Sequence, residues 1–334
     1  MQVIHSVEEL DQKVREIEAA YARSPHEAHA LMGKFRMQPP NRGKLDPDSP
    51  AYRDAEFALY RSIAGKTYAV ENEVSDFDPI AAIDRPFPYF TGDYEAIGDQ
   101  LMTFGWIFKT MRLPEKRSVL EFGPGWSNLT FALAKAGLNV TAVEIEQNFI
   151  TFIRERARRD GLTVEAVHGE FLTALELQRT FDAVLFFASF HHSADHGALL
   201  DALDTLIAPG GIAVFASEPF LESFSRPWGI RLDGESLWAT RRYGWLELGF
   251  RESYIRANLR KRGWMLEKHR CADSPSCIVF VARRLSDIAA GLSVQTPAPT
   301  GLRTRLRSAA KAVVGQLPLP AQRAAFAMAR AIRR

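Results

Sequence analysis

The 334-residue sequence predicts an α/β fold built on a doubly wound, mostly parallel sheet. Three observations carry that expectation. The stretch Val119 to Ser127, V-L-E-F-G-P-G-W-S, is a short apolar run that ends in an acid and opens into a turn with two glycines. Nineteen residues beyond Gly125, across one helix-length segment, a second apolar run from Val140 to Val143 delivers another acid, Glu144. Further apolar runs then alternate with helical stretches, as parallel strands joined by crossover helices require.

Each element follows from its residues. Gly123 and Gly125 let the backbone approach a ligand that a Cβ would obstruct, and the helix expected over Asn128 to Ala136 points its positive end into the same space. Gly137 closes that helix. A third run, Val164 to Val167, ends in His168, Gly169 and Glu170, placing an acid at a third strand tip. A fourth, Asp182 to Phe187, opens into A-S-F-H-H at Ala188 to His192. There follow a helix over Leu199 to Ile207, a P-G-G turn at Pro209 to Gly211, and a fifth strand, Ile212 to Ala216, reaching Glu218. Trp264 to Arg270 and Cys277 to Arg283 flank the turn A-D-S-P-S and read as a hairpin.

This order of parts resembles class I S-adenosylmethionine-dependent methyltransferases, over roughly residues 117–284. The resemblance implies a Rossmann-like, seven-stranded sheet closed by an antiparallel hairpin, with S-adenosyl-L-methionine as cofactor. It implies that Glu121, Gly123 and Gly125 surround the methionine part of the cofactor, that Glu144 accepts the ribose hydroxyls, and that Glu170 lies near the adenine amino group. Aspartate is commoner at the last position, where Glu170 carries the longer side chain. A nicotinamide dehydrogenase also uses a glycine turn and a ribose acid, but its fingerprint wants glycine or alanine where Asn128 stands. A catalytically silent scaffold with a cofactor fold is the alternative from another class.

The expected chemistry sits at the ends of strands four and five, which the family's strand order makes neighbours. Methyl transfer is an in-line displacement, so alignment is the protein's main task, and a weakly acidic hydroxyl also needs a base. His191 or His192 is the candidate base, with Glu218 as the carboxylate that fixes a tautomer; helix capping and packing are the plain alternatives. The reaction favoured is therefore O-methylation. A metal set from H-H-S-A-D-H (His191, His192, Asp195 and His196) is set aside for want of a further acid at ligand spacing, and no metal is expected.

The insertion, residues 219–250, is richer in aromatics than a connector needs. Trp228, Trp238 and Arg241 are its candidate substrate contacts, suited to a small-molecule, glycan or phosphate-linked acceptor. A small satellite core holding the insertion down is the competing reading. Upstream, residues 1–93 are expected to be helical, with helices over residues 7–22, Glu27 to Met37 and Ser49 to Ala64. A further helix, Tyr94 to Met111, opens the methyltransferase domain, residues 94–286. Tyr89, Thr91 and Gln100 could touch the cofactor from this side, and packing accounts for them equally simply.

Composition limits the alternatives. Hydrophobic residues make up 46% of the chain, enough for a sizeable core, and no apolar run approaches the ~18 residues of a membrane span. The N-terminus is too acidic for a secretion signal, so a cytoplasmic enzyme is expected, with Cys271 and Cys277 as free thiols. Net charge is +2, yet residues 288–334 hold eight cations and no acid, leaving 34 cations against 40 acids before them. The body therefore gives no reason to expect nucleic-acid binding. The tail, residues 287–334, has apolar residues at helical spacing beside Arg303, Arg307 and Lys311. It reads either as a basic amphipathic helix for peripheral membrane contact or as a packing element.

Overall fold

A computed structural model describes residues 1–73, 77–272 and 274–296. The chain divides into two units, Met1–Val294 and Gln295–Arg334; the helices expected between residues 302 and 332 lie outside the described residues.

The elements run β1 (Gln2–Ile4), α1 (Val7–Tyr21), α2 (Pro25–Met32), β2 (Phe35–Met37), α3 (Pro50–Ala64) and α4 (Tyr94–Met111) before the main sheet. There follow β3 (Ser118–Phe122), α5 (Asn128–Lys135), β4 (Asn139–Glu144), α6 (Gln147–Asp160), β5 (Val164–His168), β6 (Phe181–Phe187), α7 (His196–Leu206) and β7 (Ile207–Ala216). The remainder is β8 (Trp228–Ile230), α8 (Gly234–Arg242), β9 (Leu248–Phe250), α9 (Glu252–Lys261), β10 (Trp264–Cys271), β11 (Ser274–Arg284) and α10 (Leu285–Ala289).

Seven strands form one sheet in the order β10-β11-β7-β6-β3-β4-β5. β3 pairs in parallel with β4 and β6, β6 with β7 and β4 with β5, while β11 joins β7 antiparallel. β6 and β7 are thus neighbours, and chain order reverses across β3, so the crevice beyond the strand ends opens there. Val119, Leu120 and Phe122 of β3 are wholly buried, because helices cover both faces of a parallel sheet. Phe186 and Phe215 stack at 5.1 Å across β6 and β7.

Local signals place the N-terminal helices. Ser6 caps α1 by accepting from the Glu9 N–H, Ser49 caps α3 ahead of Pro50, and Asp93 caps α4 through the N–H groups of Glu95 and Ala96. Two expectations fail. The helix expected over Glu27 to Met37 stops at Met32, and Phe35–Met37 instead pairs in parallel with Gln2–Ile4; a partner strand from the far end of the segment outweighs local propensity. The P-G-G turn lies inside β7, where the register jumps from Phe181↔Ile207 to Ala183↔Ile212. Gly210 at φ +75° donates its N–H to Asp287 Oδ2 at 2.9 Å, fixing this bulge from outside the strand.

Candidate active site

The glycine side of the site is built from backbone. Gly123 adopts φ +55° at the end of β3, and a Cβ there would stand 2.9 Å from the Ser189 Cβ. Only glycine fits the approach of the two loops. At the tip of β4 the Glu144 carboxylate accepts the N–H groups of Gly125 (3.0 Å), Ile145 (2.8 Å) and Glu146 (3.0 Å). Burial raises its pKa, and those three donors act in the opposite direction. Glu144 thus clamps the glycine loop to its own strand end while forming part of a cavity of about 450 Å³, within the ~300–1,000 Å³ of small-ligand sites. Gly123, Gly125, Glu170, Trp126 and Phe149 share that wall. Phe77 packs its ring 4.8 Å from Trp126 and 4.7 Å from Phe149 behind it.

Glu121 is a correction: it does not line the cavity. It lies beneath α5 at 1% exposure, accepting from Thr130 Oγ1 at 2.7 Å, and burial pushes it up to about 7. Gln100 and Phe87 are occupied in holding Asn128, whose Nδ2 donates to the Phe87 carbonyl (2.8 Å) and to Gln100 Oε1 (3.2 Å). Thr91 bonds the Pro88 carbonyl, and Tyr89 uses its own carbonyl to accept from Arg85. None of Tyr89, Thr91 and Gln100 reaches the cavity wall.

The histidine pair divides in two. His191 has the wiring of a base. Its Nδ1 lies 2.9 Å from Glu218 Oε2, and Glu218 also accepts the N–H groups of Ser189, Phe190 and His191. With that tautomer, Nε2 is left as the acceptor. His191, however, is buried and absent from the cavity wall. His192 has the place: it lines the cavity, with Nδ1 3.4 Å from Glu73 Oε2. Burial lowers its pKa, but Glu73, Glu247 and Glu218 more than offset this and hold it at about 9. At neutral pH that ring carries a proton. Ala188 and Ser217, just past β6 and β7, take φ +50° and +54°, a strained geometry that sequence could not announce.

The remaining walls come from outside the sheet domain: Arg53 of α3, Tyr68, Glu73 and Trp245. Glu73 accepts the Leu246 N–H at 2.8 Å, tying the two wall segments together. The expected acceptor contacts are elsewhere, and this is the second correction. Trp228 packs 5.3 Å from Tyr52 and donates to the Pro47 carbonyl, Trp238 stacks at 5.3 Å on Tyr21, and Arg241 is paired with Asp11. All three bind the insertion to the N-terminal helices and leave the cavity, so the satellite-core reading holds for them. His196, from the H-H-S-A-D-H alternative, is likewise withdrawn: burial lowers it to about 4, among Trp228, Phe250 and Tyr254.

Glycine loop, strand-tip carboxylate and strand order together define a class I methyltransferase fold. Residues 119–211 match the family described as a methyltransferase domain. The match covers 93 of the chain's 334 residues, from β3 into β7. Similar curated proteins include ubiquinone biosynthesis O-methyltransferases. That of Bordetella avium (strain 197N) is 30% identical over 165 residues, 49% of this chain and 60% of the relative. That of Azotobacter vinelandii (strain DJ / ATCC BAA-1303) is 30% identical over 170 residues, 49% of this chain and 62% of the relative. The chain thus spans less than two thirds of the length of either. Among solved structures, the Burkholderia thailandensis 1,6-didemethyltoxoflavin-N1-methyltransferase is similar over 73% of this chain and 93% of its own, with 18% identity and a TM-score of 0.44. An S-adenosylmethionine-dependent methyltransferase from Aquifex aeolicus is similar over 62% of this chain and 97% of its own, at 17% identity and a TM-score of 0.41.

S-adenosylmethionine is the cofactor of the family, and the residues fit it. Gly123 and Gly125 line the cavity without side chains, and a buried carboxylate stands at the second strand tip beside them. No helix among the described residues is long and apolar enough to cross a membrane.

Proposed function

We propose that the protein transfers a methyl group from S-adenosylmethionine to an oxygen of a small acceptor. The observation that carries this reading is a single cavity whose wall carries both Glu144 and His192. Glu144 would hold the ribose hydroxyls, and Gly123 and Gly125 the backbone approach to the methionine part. Bound there, the cofactor supplies an electrophilic methyl carbon. The acceptor lies between His192, Tyr68 and Trp245, its flat apolar part against the aromatic rings. As the acceptor oxygen bonds to the methyl carbon, the carbon–sulfur bond would break and S-adenosylhomocysteine would leave, while the acceptor's proton would pass to the neutral form of His192, whose share grows toward pH 9. The relatives are named as O-methyltransferases, which agrees with oxygen as the methylated atom.

The test is an assay with labelled cofactor against a panel of phenols, glycans and lipid-linked glycans, with variants alongside. Glu144→Ala should weaken cofactor binding by about 1.5–3 kcal/mol in calorimetry. His192→Ala should keep cofactor affinity and lower turnover by about 10²–10⁴-fold. Unchanged turnover in both His191→Ala and His192→Ala would overturn proton transfer by this pair.

We also propose that the basic tail brings the enzyme to anionic membrane surfaces, on the support of its eight cations without an acid over residues 288–334. Each cation near such a surface contributes about 1 kcal/mol. Sedimentation with anionic vesicles should carry down the full chain and leave a chain ending near residue 290 in solution. Equal behaviour of the two would overturn it.

A further inference from the structure

Three side chains converge beside the cavity, at His192 of its wall, in a way that proton transfer alone does not require. His191 Nε2 lies 3.7 Å from Glu247 Oε2, and the His191 and His192 rings are 4.2 Å apart. One ligand atom from each of His191, His192 and Glu247 lies within 4.8 Å of the other two. We propose that these three residues hold a divalent transition metal, of which zinc suits two imidazoles and one carboxylate, with a coordination position left open toward the cavity.

The hydrogen bonds favour this arrangement. His191 directs Nδ1 at Glu218, 2.9 Å away, the carboxylate partner that metal-bound histidines carry, which leaves the Nε2 lone pair facing Glu247. His191 Nε2 and Glu247 Oε2 thus face each other across 3.7 Å, and a metal ion bound there would displace the ring protons facing it. His192 Nδ1 is buried and makes no hydrogen bond, although Glu73 Oε2 lies 3.4 Å away. The turn carrying both histidines is pinned by the three backbone N–H groups that Glu218 accepts.

Glu247 is held from behind by Arg231, at 3.3 Å. That guanidinium is shared with Asp233 at 3.0 Å, so its charge is answered when Glu247 turns to a metal. Zinc ligands at ~2.1 Å in a tetrahedron stand ~3.4 Å apart, a contraction within reach of the Glu247 side-chain torsions. The set differs from H-H-S-A-D-H: Glu247, 55 residues after His192 in the sequence, takes the place of Asp195 and His196. His192 lines the cavity, so the open position faces an acceptor. A hydroxyl bound there would lose its proton to water more readily. In this respect the inference rests on the O-methylation reading, but the metal site itself does not.

Full-length protein stripped with a chelator and dialysed should take up about one zinc per chain, measured by elemental analysis, and cobalt(II) should give the visible absorption of a four- or five-coordinate nitrogen and oxygen site. Glu247→Gln and His191→Ala should each weaken uptake about 10–100-fold while cofactor affinity in calorimetry stays as in the parent, which also certifies folding. Retention of full zinc affinity by both variants, or no stoichiometric uptake by the parent, overturns the site. Zinc uptake without cofactor binding would instead overturn the methyltransferase reading and leave the metal site standing.

Discussion

Glu121 and Glu144 stand at the ends of neighbouring strands, and both carboxyls are raised by burial, yet they do different work. Glu144 has three backbone donors and a cavity face; Glu121 has Thr130 alone. An acid raised to about 7 in the folded state, against ~4.3 unfolded, binds more protons folded than unfolded between those values. Stability therefore falls as pH rises through that window, by about 4 kcal/mol for this group. Glu121→Gln keeps an acceptor for Thr130 and removes the titration, so its thermal midpoint should exceed the parent's at pH 8 and approach it near pH 4.5. Parallel pH profiles for the two proteins would show that this carboxyl does not titrate there. The glycines, Glu144 and the histidines were legible from sequence because each follows a strand end at fixed spacing. Glu121 was misplaced because spacing identifies a strand tip but not which face its last acid points to.

The sheet elements were readable because parallel strands buried on both faces are short, continuously apolar and punctuated by glycine. Elements whose form depends on a distant partner were not: β2 needs β1, and the β7 bulge needs Asp287. α8 was readable as aromatic and basic, but not as facing the N-terminal helices. Its role now separates two kinds of tryptophan. Trp238→Ala removes the stack on Tyr21 and should lower stability by about 2–4 kcal/mol, with the acceptor's KM unchanged. Trp245→Ala, on the cavity wall, should raise that KM with little change in thermal midpoint. A rise in KM for Trp238→Ala without loss of stability would return α8 to the acceptor site.

Across the whole molecule, Glu56 of α3 is the joint between the N-terminal helices and the insertion. It is fully buried, accepts from Arg226 at 2.7 Å, from Arg42 at 2.9 Å and from the Ile230 N–H at 3.0 Å. A Cβ on Gly229 would lie 2.4 Å from its carboxylate, so the glycine is what lets the acid in. Removing one member of a buried pair leaves an uncompensated charge, and Glu56→Ala should cost about 3–5 kcal/mol in denaturant unfolding. A loss below about 1 kcal/mol would mean that Arg226 finds water or another partner. None of these partners is near Glu56 in sequence, which is why the joint was invisible there.

Because Arg53, Tyr68, Glu73 and Trp245 all lie outside the seven-stranded sheet, while Glu144 ends β4 and the glycine loop directly follows β3, the two halves of the cavity have separate ancestries open to them. With the proposed assignment of cofactor and acceptor, drift in the N-terminal helices and insertion can retune which molecule is accepted without disturbing the cofactor half. Descendants of one such gene could therefore diverge in substrate while keeping the same donor.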